Sequence, residues 1–475
     1  MKTLLATLAA AVLFYLSQGL NELWFFAWIA PAPLLWLAYG EERAWRVLAA
    51  SFIAFLAGMA FVIQCYAPVF PPKIVAVLSL MLAPSLIVFP FTVLFARLVQ
   101  RRSKAWATLL AFPLAWTAAE FLISLLSLHG VYLSFANSQI GHPLTEQTAS
   151  LFGMFAITFL ICLFANAIAM LARAERGGRV AAAGGLAVCA LALAFGAWRL
   201  STPQAATVRV AAITSDVSLY SNDDVHQLPG AVALAERTAA AARDAAAKGA
   251  RVIVTPEGGL IAKPSWRAAV LAPLQRVADD THALVVAGLV VIARPGDNAI
   301  PSADFAVALR ATQPPLFYAK RHLLLPLEDN FTPGHAPGLI GDGYAMAVCK
   351  DMDFPRTYVA DARAGDIRLM AVPSGDLKLD GWMHGRLALM RGVENGFAVV
   401  RPANEGLVLI ADAYGRVVAR APSARHGLST VIVNVAPGPG ATLYTRIGDV
   451  FAWACVGLTG LLALVALLQR RRAHP

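Results

Sequence analysis

Charged side chains are scarce in this chain of 475 residues. Asp, Glu, Lys and Arg make up 14% of it, whereas 58% of its residues are hydrophobic and the mean hydropathy is +0.62. This balance lies well to the apolar side of ordinary soluble domains, so we expect a membrane protein. The apolar runs are uneven, because they fill residues 1–200, become sparse over 207–441 and return at 449–469.

Cysteine is also scarce, with five residues in the chain, and only Cys349 lies in the polar section. A single cysteine cannot form an internal disulfide framework there, so cysteine usage does not locate this section in the cell. The section also lacks the CxxC and HxxxH spacings that are typical of structural zinc sites. We therefore expect neither a metal nor a cofactor.

The net charge of +10 is not concentrated in one long basic patch. The basic residues cluster at the ends of apolar segments, which indicates membrane topology and argues against a nucleic-acid partner. A helix of about 20 residues crosses about 30 Å of hydrocarbon. On this length eight spans are predicted, at 3–20, 23–40, 46–66, 74–98, 105–127, 147–172, 180–199 and 449–469.

The distribution of positive charge predicts how these spans are oriented. If the N-terminus is cytoplasmic, thirteen Lys and Arg residues fall on the inner side and two, Lys73 and Arg199, on the outer side. The inner set is Lys2, Arg43, Arg46, Arg97, Arg101, Arg102, Lys104, Arg173, Arg176, Arg179, Arg470, Arg471 and Arg472. This excess predicts cytoplasmic N- and C-termini and places residues 200–448 on the outer face, which in a bacterium is the periplasm.

One carboxylate lies inside a predicted span, at Glu120 in PLAWTAAEFLISLL. A charge at the centre of the hydrocarbon costs about 2.5–3.5 kcal/mol even on the lenient insertion scale, so Glu120 is expected to face other helices or a cavity. Two alternatives remain open. The carboxyl group is either hydrogen-bonded between helices or placed near a lipid headgroup as part of a substrate site.

The polar section, 207–441, alternates short apolar runs with helical stretches. Strands are predicted at 208–215, 251–258, 283–293, 304–311, 344–351, 367–375, 396–403, 406–413 and 429–435. Helices are predicted at 228–250, 266–283 and 379–396. This alternation is typical of α/β layers, in which helices cover the faces of a sheet. Functional residues are then expected where strands end.

Three reactive side chains follow predicted strands: Glu257 after RVIVTP, Lys320 after LFYA and Cys349 after YAMAV. A free thiol is only a few per cent thiolate at neutral pH, so a nucleophilic cysteine needs a base or a positive neighbour. Glu257 could accept the proton, and Lys320 could stabilise the thiolate and a developing oxyanion. Taken alone, Cys349 could also be an inert buried thiol or a metal ligand together with Asp351, Asp353 and His384.

These residues and their order resemble the carbon-nitrogen hydrolase (nitrilase) superfamily. The matching features are a glutamate in a strand-end PE, a lysine in a YAK turn and a cysteine followed by an acid and Phe-Pro. Seven spans before such a domain and one after it resemble the bacterial apolipoprotein N-acyltransferases over the whole chain. The chain differs from that family in having Lys350 after the cysteine, in lacking an arginine after Glu120 and in the segment SDVSLYSNDDVH at 215–226.

The resemblance implies a polytopic α-helical membrane domain at 1–200, an αββα nitrilase-like sandwich at 207–441 and a C-terminal helix at 449–469. It implies that Glu257 is the general base, Lys320 the oxyanion-stabilising cation and Cys349 the nucleophile. Glu328 and Asp351 occupy the positions of two supporting acids. The location implied is the bacterial inner membrane, with the catalytic domain in the periplasm.

The function implied is ping-pong acyl transfer in lipoprotein maturation. A membrane phospholipid would donate the acyl chain to Cys349, and the N-terminal diacylglyceryl-cysteine of a lipoprotein would accept it. Three alternatives stay open: an amidase that uses water as acceptor, an acyltransferase with another lipid or amine, and a catalytically inactive scaffold. Trp266 and Trp382, near strand ends, either contact lipid or pack in the core.

Overall fold

The structure is a computed structural model that describes residues 1–21, 23–40, 43–173, 176–203, 206–216, 227–293 and 302–469. The chain divides into two compact units. The first comprises Met1–Ser201 with Ile447–Pro475, and the second comprises Thr202–Arg446. Most of the divergent segment 215–226 lies outside the described residues.

The first unit is helical. Its helices are Lys2–Ser17, Ala32–Ala38, Ala44–Gly58, Phe61–Tyr66, Pro72–Ser79, Ala83–Arg102, Ala105–Leu126, Pro143–Glu146, Ala149–Phe152, Phe155–Arg173, Arg176–Leu200 and Val450–Leu468. Aromatic side chains pack between several of these helices. The Phe55 ring stacks on Phe89 with 4.3 Å between ring centroids and meets Trp116 edge-on at 5.4 Å. Such pairs stabilise helix packing beyond the area that they bury.

In the described part of the chain, six helical segments are long and apolar enough to cross a membrane. They are Ala44–Tyr66, Pro72–Arg102, Ala105–Leu126, Phe155–Arg173, Gly177–Leu200 and Val450–Leu468. The predicted spans 3–20 and 23–40 contain the shorter apolar helices Lys2–Ser17 and Trp24–Ala38. The predicted count of eight is therefore not confirmed.

Local breaks explain why several helices are shorter than predicted. The first helix ends at Ser17, two residues before Gly19, which has φ +65°. The predicted span 147–172 is divided into the helices Ala149–Phe152 and Phe155–Arg173, because Gly153 between them adopts φ +74°. A positive φ is inexpensive for glycine, and it interrupts the repeating helical conformation. Hydropathy alone does not show such interruptions, since the flanking residues are apolar.

The second unit contains fifteen strands among the described residues. They are β1 Val208–Ser215, β2 Val252–Val254, β3 Leu260–Ala262, β4 Leu284–Val291, β5 Ala303–Leu309, β6 Leu316–Ala319, β7 Leu339–Gly341, β8 Tyr344–Met346, β9 Leu369–Ala371, β10 Ser374–Gly375, β11 Ala398–Arg401, β12 Ala403–Asn404, β13 Leu407–Ala411, β14 Val417–Pro422 and β15 Leu428–Val435. One sheet has the order β15-β1-β2-β4-β5-β6, with β3 beside β4. The other has the order β14-β13-β11-β9-β8-β7.

The two sheets form the inner layers of a four-layer αββα sandwich. Side chains alternate along β1, so that Val210 and Ala212 belong to a core shared with the second sheet, whereas Ala211 and Ile213 face helices. The helices are Leu228–Ala247, Arg267–Thr281, Pro355–Ala364, Gly381–Asn395 and, at the end of the unit, Leu443–Ile447. The first two cover one sheet, and the next two contribute to the core outside the other.

The most consequential difference from the predicted elements is at 344–351. The strand β8 ends at Met346, and a 3₁₀ turn follows over Cys349–Asp353. Cys349 itself has φ +36°, a conformation that a β-strand does not allow and that is strained for a residue with a side chain. The apolar run that predicted a longer strand therefore ends in a turn that carries the thiol.

Candidate active site

The Lys320 ammonium lies at the centre of a cluster of carboxyl groups. Its Nζ is 2.6 Å from Glu257 Oε1, 2.7 Å from Glu328 Oε1 and 3.5 Å from Asp304 Oδ2. Only 2% of the lysine side chain is exposed. Lys320 follows β6, and Glu257 follows β2 in the same sheet, so the ends of two strands bring the lysine and the predicted base together.

Glu257 is held as a carboxylate although it is buried. Burial raises its pKa, but attraction to Lys320, together with hydrogen bonds, outweighs burial and lowers the pKa to about 2. The Gly375 N–H donates to Glu257 Oε2 over 2.8 Å, which fixes the second carboxylate oxygen. Glu257 is therefore ionised at neutral pH, as a proton acceptor must be before it acts.

Cys349 lies beside the same glycine. Its Sγ donates to the Gly375 carbonyl oxygen over 3.2 Å, and its own N–H donates to Pro373 O over 2.9 Å. Burial and then the Glu257 charge raise the pKa of the thiol, and this outweighs the opposite effect of Lys320. The side chain is partly exposed. The resting site thus contains a neutral thiol that can be reached, with a carboxylate and an ammonium nearby.

Glu328 and Asp351 support the cluster in different ways. Glu328 contacts Lys320 directly and accepts the Leu324 N–H on Oε2 over 2.7 Å. Asp351 instead accepts the N–H groups of Arg321 and His322 on Oδ1, at 3.0 and 2.8 Å. It bonds the residues beside Lys320 and not the lysine side chain itself.

The other oxygen of Asp351 connects two parts of the site. Asp351 Oδ2 accepts the Tyr318 hydroxyl at 2.7 Å and the Val348 N–H at 3.2 Å. Tyr318 and Val348 precede Lys320 and Cys349 respectively. Burial raises the pKa of Asp351 to about 6, although these donors oppose the rise. This carboxyl group therefore ties the lysine segment to the turn that carries the thiol.

Asp304 and the Asp376–Arg401 pair were missed by the sequence analysis. Arg401 Nη2 lies 2.6 Å from Asp376 Oδ1, and both side chains are buried. Asp376 directly follows Gly375, which contacts both Glu257 and Cys349. Asp304 is the second residue of β5, and its carbonyl oxygen accepts the Lys320 N–H over 2.8 Å. A charged residue within or at the start of an apolar strand was the available signal for Asp304 and Arg401.

Substrate contact by Glu120, Trp266 and Trp382 stays a prediction, and the structure shows the surroundings of each. Glu120 belongs to the first unit, where it accepts hydrogen bonds from Ser134, Phe135 and Thr158. Trp266 packs at the border of the core outside the first sheet, with Lys263 Nζ 4.6 Å from its ring centroid. Trp382 is covered by Arg420, whose Cζ lies 4.2 Å from the ring centroid.

Among the residues that the structure describes, two groups of side chains have the ligand spacing of a cation site, with their oxygen or nitrogen atoms within 4.8 Å of one another. The first is Glu257, Asp304 and Glu328, and Lys320 already supplies a positive charge to it. The second is Asp376, Asp380 and His384, and there Arg401 pairs with Asp376. In both groups a cation of the protein offsets part of the acidic charge, as buried carboxylates require.

Two protein-family models match this chain, one in its N-terminal part and one in its polar section. Residues 10–167 match the family described as Apolipoprotein N-acyltransferase N-terminal domain, and residues 210–437 match Carbon-nitrogen hydrolase. An apolipoprotein N-acyltransferase of Geobacter metallireducens is 27% identical over 96% of this chain and 93% of its own length. One of Azotobacter vinelandii is 28% identical over 99% of this chain and 96% of its own length. This chain is therefore similar to the apolipoprotein N-acyltransferases over nearly its whole length.

Solved structures of the nitrilase superfamily align with about half of this chain. One is a branch 10 member from Saccharomyces cerevisiae, 19% identical, which covers 50% of this chain and 93% of its own, with a TM-score of 0.39. Glu257, Lys320, Glu328, Cys349 and Asp351 all lie within the stretch that matches Carbon-nitrogen hydrolase.

Proposed function

We propose that this protein transfers an acyl chain from a membrane phospholipid to the N-terminal amine of a diacylglyceryl-cysteine lipoprotein, through a thioester on Cys349. The observation that carries the proposal is the Lys320 contact set, with Glu257 and Glu328 at 2.6 and 2.7 Å. It occurs in a chain that aligns over 96% and 99% of its length with two apolipoprotein N-acyltransferases. The sandwich supplies the chemistry, and the helical unit supplies contact with the membrane.

The first step forms the thioester. Glu257 accepts the thiol proton of Cys349 while the sulfur bonds to the ester carbonyl carbon, and the carbonyl electron pair moves to oxygen. An ammonium has three N–H donors, and Lys320 directs two of them to Glu257 and Glu328, which leaves one for the oxyanion. When the intermediate collapses, the lysophospholipid oxygen leaves and takes the proton from Glu257.

The second step releases the acyl chain to the amine. The neutral amine attacks the thioester carbonyl, Glu257 accepts a proton from the nitrogen, and the Cys349 sulfur leaves and regains a proton. An amide bond replaces the thioester, and the lipoprotein becomes triacylated. Both steps balance with Glu257 as the only proton carrier. Water must be kept from the thioester in the interval, or hydrolysis would compete.

The location that we propose is the bacterial inner membrane, with Thr202–Arg446 on the periplasmic side and both termini in the cytoplasm. The distribution of Lys and Arg along the sequence supports this orientation. A catalytic unit attached to the membrane meets two lipid-anchored substrates at a raised effective concentration. Reporter fusions after residue 203 would test the orientation, and a fusion active only in the cytoplasm would contradict it.

One assay separates the candidate functions. Detergent-purified protein is incubated with phospholipid that carries a labelled acyl chain and with a diacylated lipopeptide. N-acylated lipopeptide supports the proposal, release of labelled free acid without transfer supports a hydrolase, and absence of label on Cys349 supports an inactive scaffold. Cys349→Ala should abolish both the protein-bound label and the transfer, and full transfer by this variant would exclude the thioester mechanism.

A further inference from the structure

Asp304 is a carboxyl group of the catalytic cluster to which the proposed chemistry assigns no role. It is 1% exposed, and it faces Lys320 because β5 and β6 pair antiparallel with Phe305 opposite Ala319. That register places Asp304 opposite Lys320, the residue that follows β6. The titratable groups that face it are Glu257, Lys320 and Glu328.

The charges at this centre do not balance if every acid is ionised. Glu257, Glu328 and Asp304 would carry three negative charges beside one ammonium, in a site from which water is largely excluded. When carboxyl groups share a buried site, one of them retains a proton, because like charges and burial both disfavour further ionisation.

The contacts indicate which acid carries that proton. Glu257 and Glu328 lie within 2.7 Å of the ammonium, and each also accepts a backbone N–H, from Gly375 and Leu324. Asp304 lies 3.5 Å from Nζ, beyond the usual range for a hydrogen bond. Among the described residues, no N–H or O–H group donates a hydrogen bond to either of its oxygens. Of these three acids, Asp304 therefore has the fewest contacts that would stabilise a negative charge.

We propose that Asp304 is a positioning residue of the catalytic centre, protonated at neutral pH, whose neutral state leaves the third N–H of Lys320 for the oxyanion. An ionised Asp304 would attract that N–H and add negative charge beside Lys320. Burial first, and then the Glu257 charge, raise the pKa of Asp304, which agrees with the charge count. This inference rests on the proposed function for its role in catalysis, but the protonation of Asp304 stands on geometry.

The test compares wild-type protein with Asp304→Asn, which keeps the shape and removes the ionisation. The rate of thioester formation from labelled phospholipid is measured in single turnovers from neutral to alkaline pH. We expect Asp304→Asn to lose activity at a pH about one unit higher than wild type does. Asp244→Asn removes an exposed acid paired with Lys248 and should leave the profile unchanged.

A substrate-free measurement separates this inference from the proposed function. Iodoacetamide labelling of Cys349, quantified on its own peptide, should be about three- to tenfold faster in Asp304→Asn than in wild type at alkaline pH. Asp304→Ala serves as a second variant and should shift the profile in the same direction. If Cys349 took no labelled acyl chain from phospholipid while wild type and variant still differed in iodoacetamide labelling, only the proposed function would be contradicted.

Two results would overturn the role of Asp304. One is a loss of about a hundredfold or more in Asp304→Asn at pH 7 with normal thermal unfolding, which would mean that a carboxylate is required. The other is coincidence of the wild-type and variant alkaline profiles in both the thioester and the iodoacetamide measurements.

Discussion

Glu120 in the helical unit and Glu257 in the sandwich are both buried glutamates, but their partners differ in kind. Glu120 accepts the Phe135 N–H at 2.7 Å and the hydroxyls of Thr158 and Ser134 at 2.8 and 3.0 Å. Glu257 accepts one backbone N–H and lies 2.6 Å from an ammonium. The donors to Glu120 are neutral and come from one loop and one helix, which suits a structural role. Glu257 lies beside a cation and a thiol, which suits proton transfer.

The comparison shows why burial of an acid is weak evidence for catalysis. Phe135 and Ser134 belong to the irregular segment between Leu126 and Pro143, so Glu120 fastens that segment to its own helix and to Thr158. Glu257 instead lies beside two groups of the proposed reaction, the Lys320 ammonium and the Cys349 thiol. The two acids differ in whether a neighbouring charge can stabilise the transfer of a proton. Glu257 has such a neighbour in Lys320.

The largest effect is expected for Glu257→Gln. The amide cannot accept the Cys349 proton, and a general base contributes about a hundredfold to ten-thousandfold. Thioester formation from labelled phospholipid should fall by about a thousandfold, measured beside Glu120→Gln prepared in the same way. If Glu257→Gln kept more than about a tenth of the wild-type rate, the two glutamates would not differ as proposed.

Lys320→Met should be nearly as harmful to activity and should also reverse a pH effect on stability. The variant leaves Glu257 buried without its cation, and such a loss costs about 3–5 kcal/mol. In wild type the pKa of Glu257 is lowered to about 2, so its contribution is lost as pH falls from about 4.5 to about 2. Without Lys320, burial raises that pKa, and stability should increase as pH falls from 7 to 5.

Thermal unfolding of Lys320→Met at pH 7 and pH 5 tests the reversal, with Lys248→Met as a control because Lys248 is exposed beside Asp244. Equal unfolding temperatures of Lys320→Met at the two pH values would contradict the assignment of Lys320 as the charge partner. Activity should fall by about a hundredfold or more, since one donor to the oxyanion is removed.

Much of this arrangement can be predicted from the sequence, because strands and buried helices leave strong local patterns. The strand 208–215 is observed with the predicted bounds. The helices predicted at 228–250 and 266–283 are observed at Leu228–Ala247 and Arg267–Thr281, so each bound differs by at most three residues. By contrast, β14 was missed, since its residues are partly exposed and alternate too weakly to stand out.

The reactive side chains differ from Asp304 in how they can be found. Glu257, Lys320 and Cys349 each follow an apolar run, so their position along the chain is itself a signal. The proximity of Asp304 to Lys320 depends on the register of the β5–β6 pair, in which Phe305 lies opposite Ala319. A shift of one residue would turn Asp304 to the other face, and sequence alone does not fix the turn that sets this register.

Asp351→Asn should have an intermediate effect. Its two oxygens accept four donors, so an amide nitrogen must face at least one backbone N–H and leave it unsatisfied, at a cost of about 1–3 kcal/mol. We expect a loss of about tenfold in the rate of acylation, because the segment that carries Lys320 moves relative to Cys349. Asp366→Asn, which alters an exposed pair with Arg368, should match wild type.

The pH dependence of stability gives a second measurement for Asp351. Its pKa is raised to about 6, so its favourable contribution is present at low pH and is lost as pH rises from about 4 to about 6. The change in unfolding temperature across this window should be smaller in Asp351→Asn than in wild type. An identical change in both proteins would mean that another group titrates there.

The smallest effect is expected for Glu120→Gln. The amide oxygen can still accept the Phe135 N–H, and the amide nitrogen can donate to Ser134 or Thr158, because hydroxyl groups can reverse their hydrogen bonds. Transfer activity should stay within about threefold of wild type, since removing the charge loses no catalytic proton acceptor. Glu120→Leu should instead destabilise the helical unit by about 1–3 kcal/mol, because buried donors lose their acceptor. A loss of activity in Glu120→Gln as large as in Glu257→Gln, with unfolding unchanged, would support the prediction that Glu120 contacts substrate.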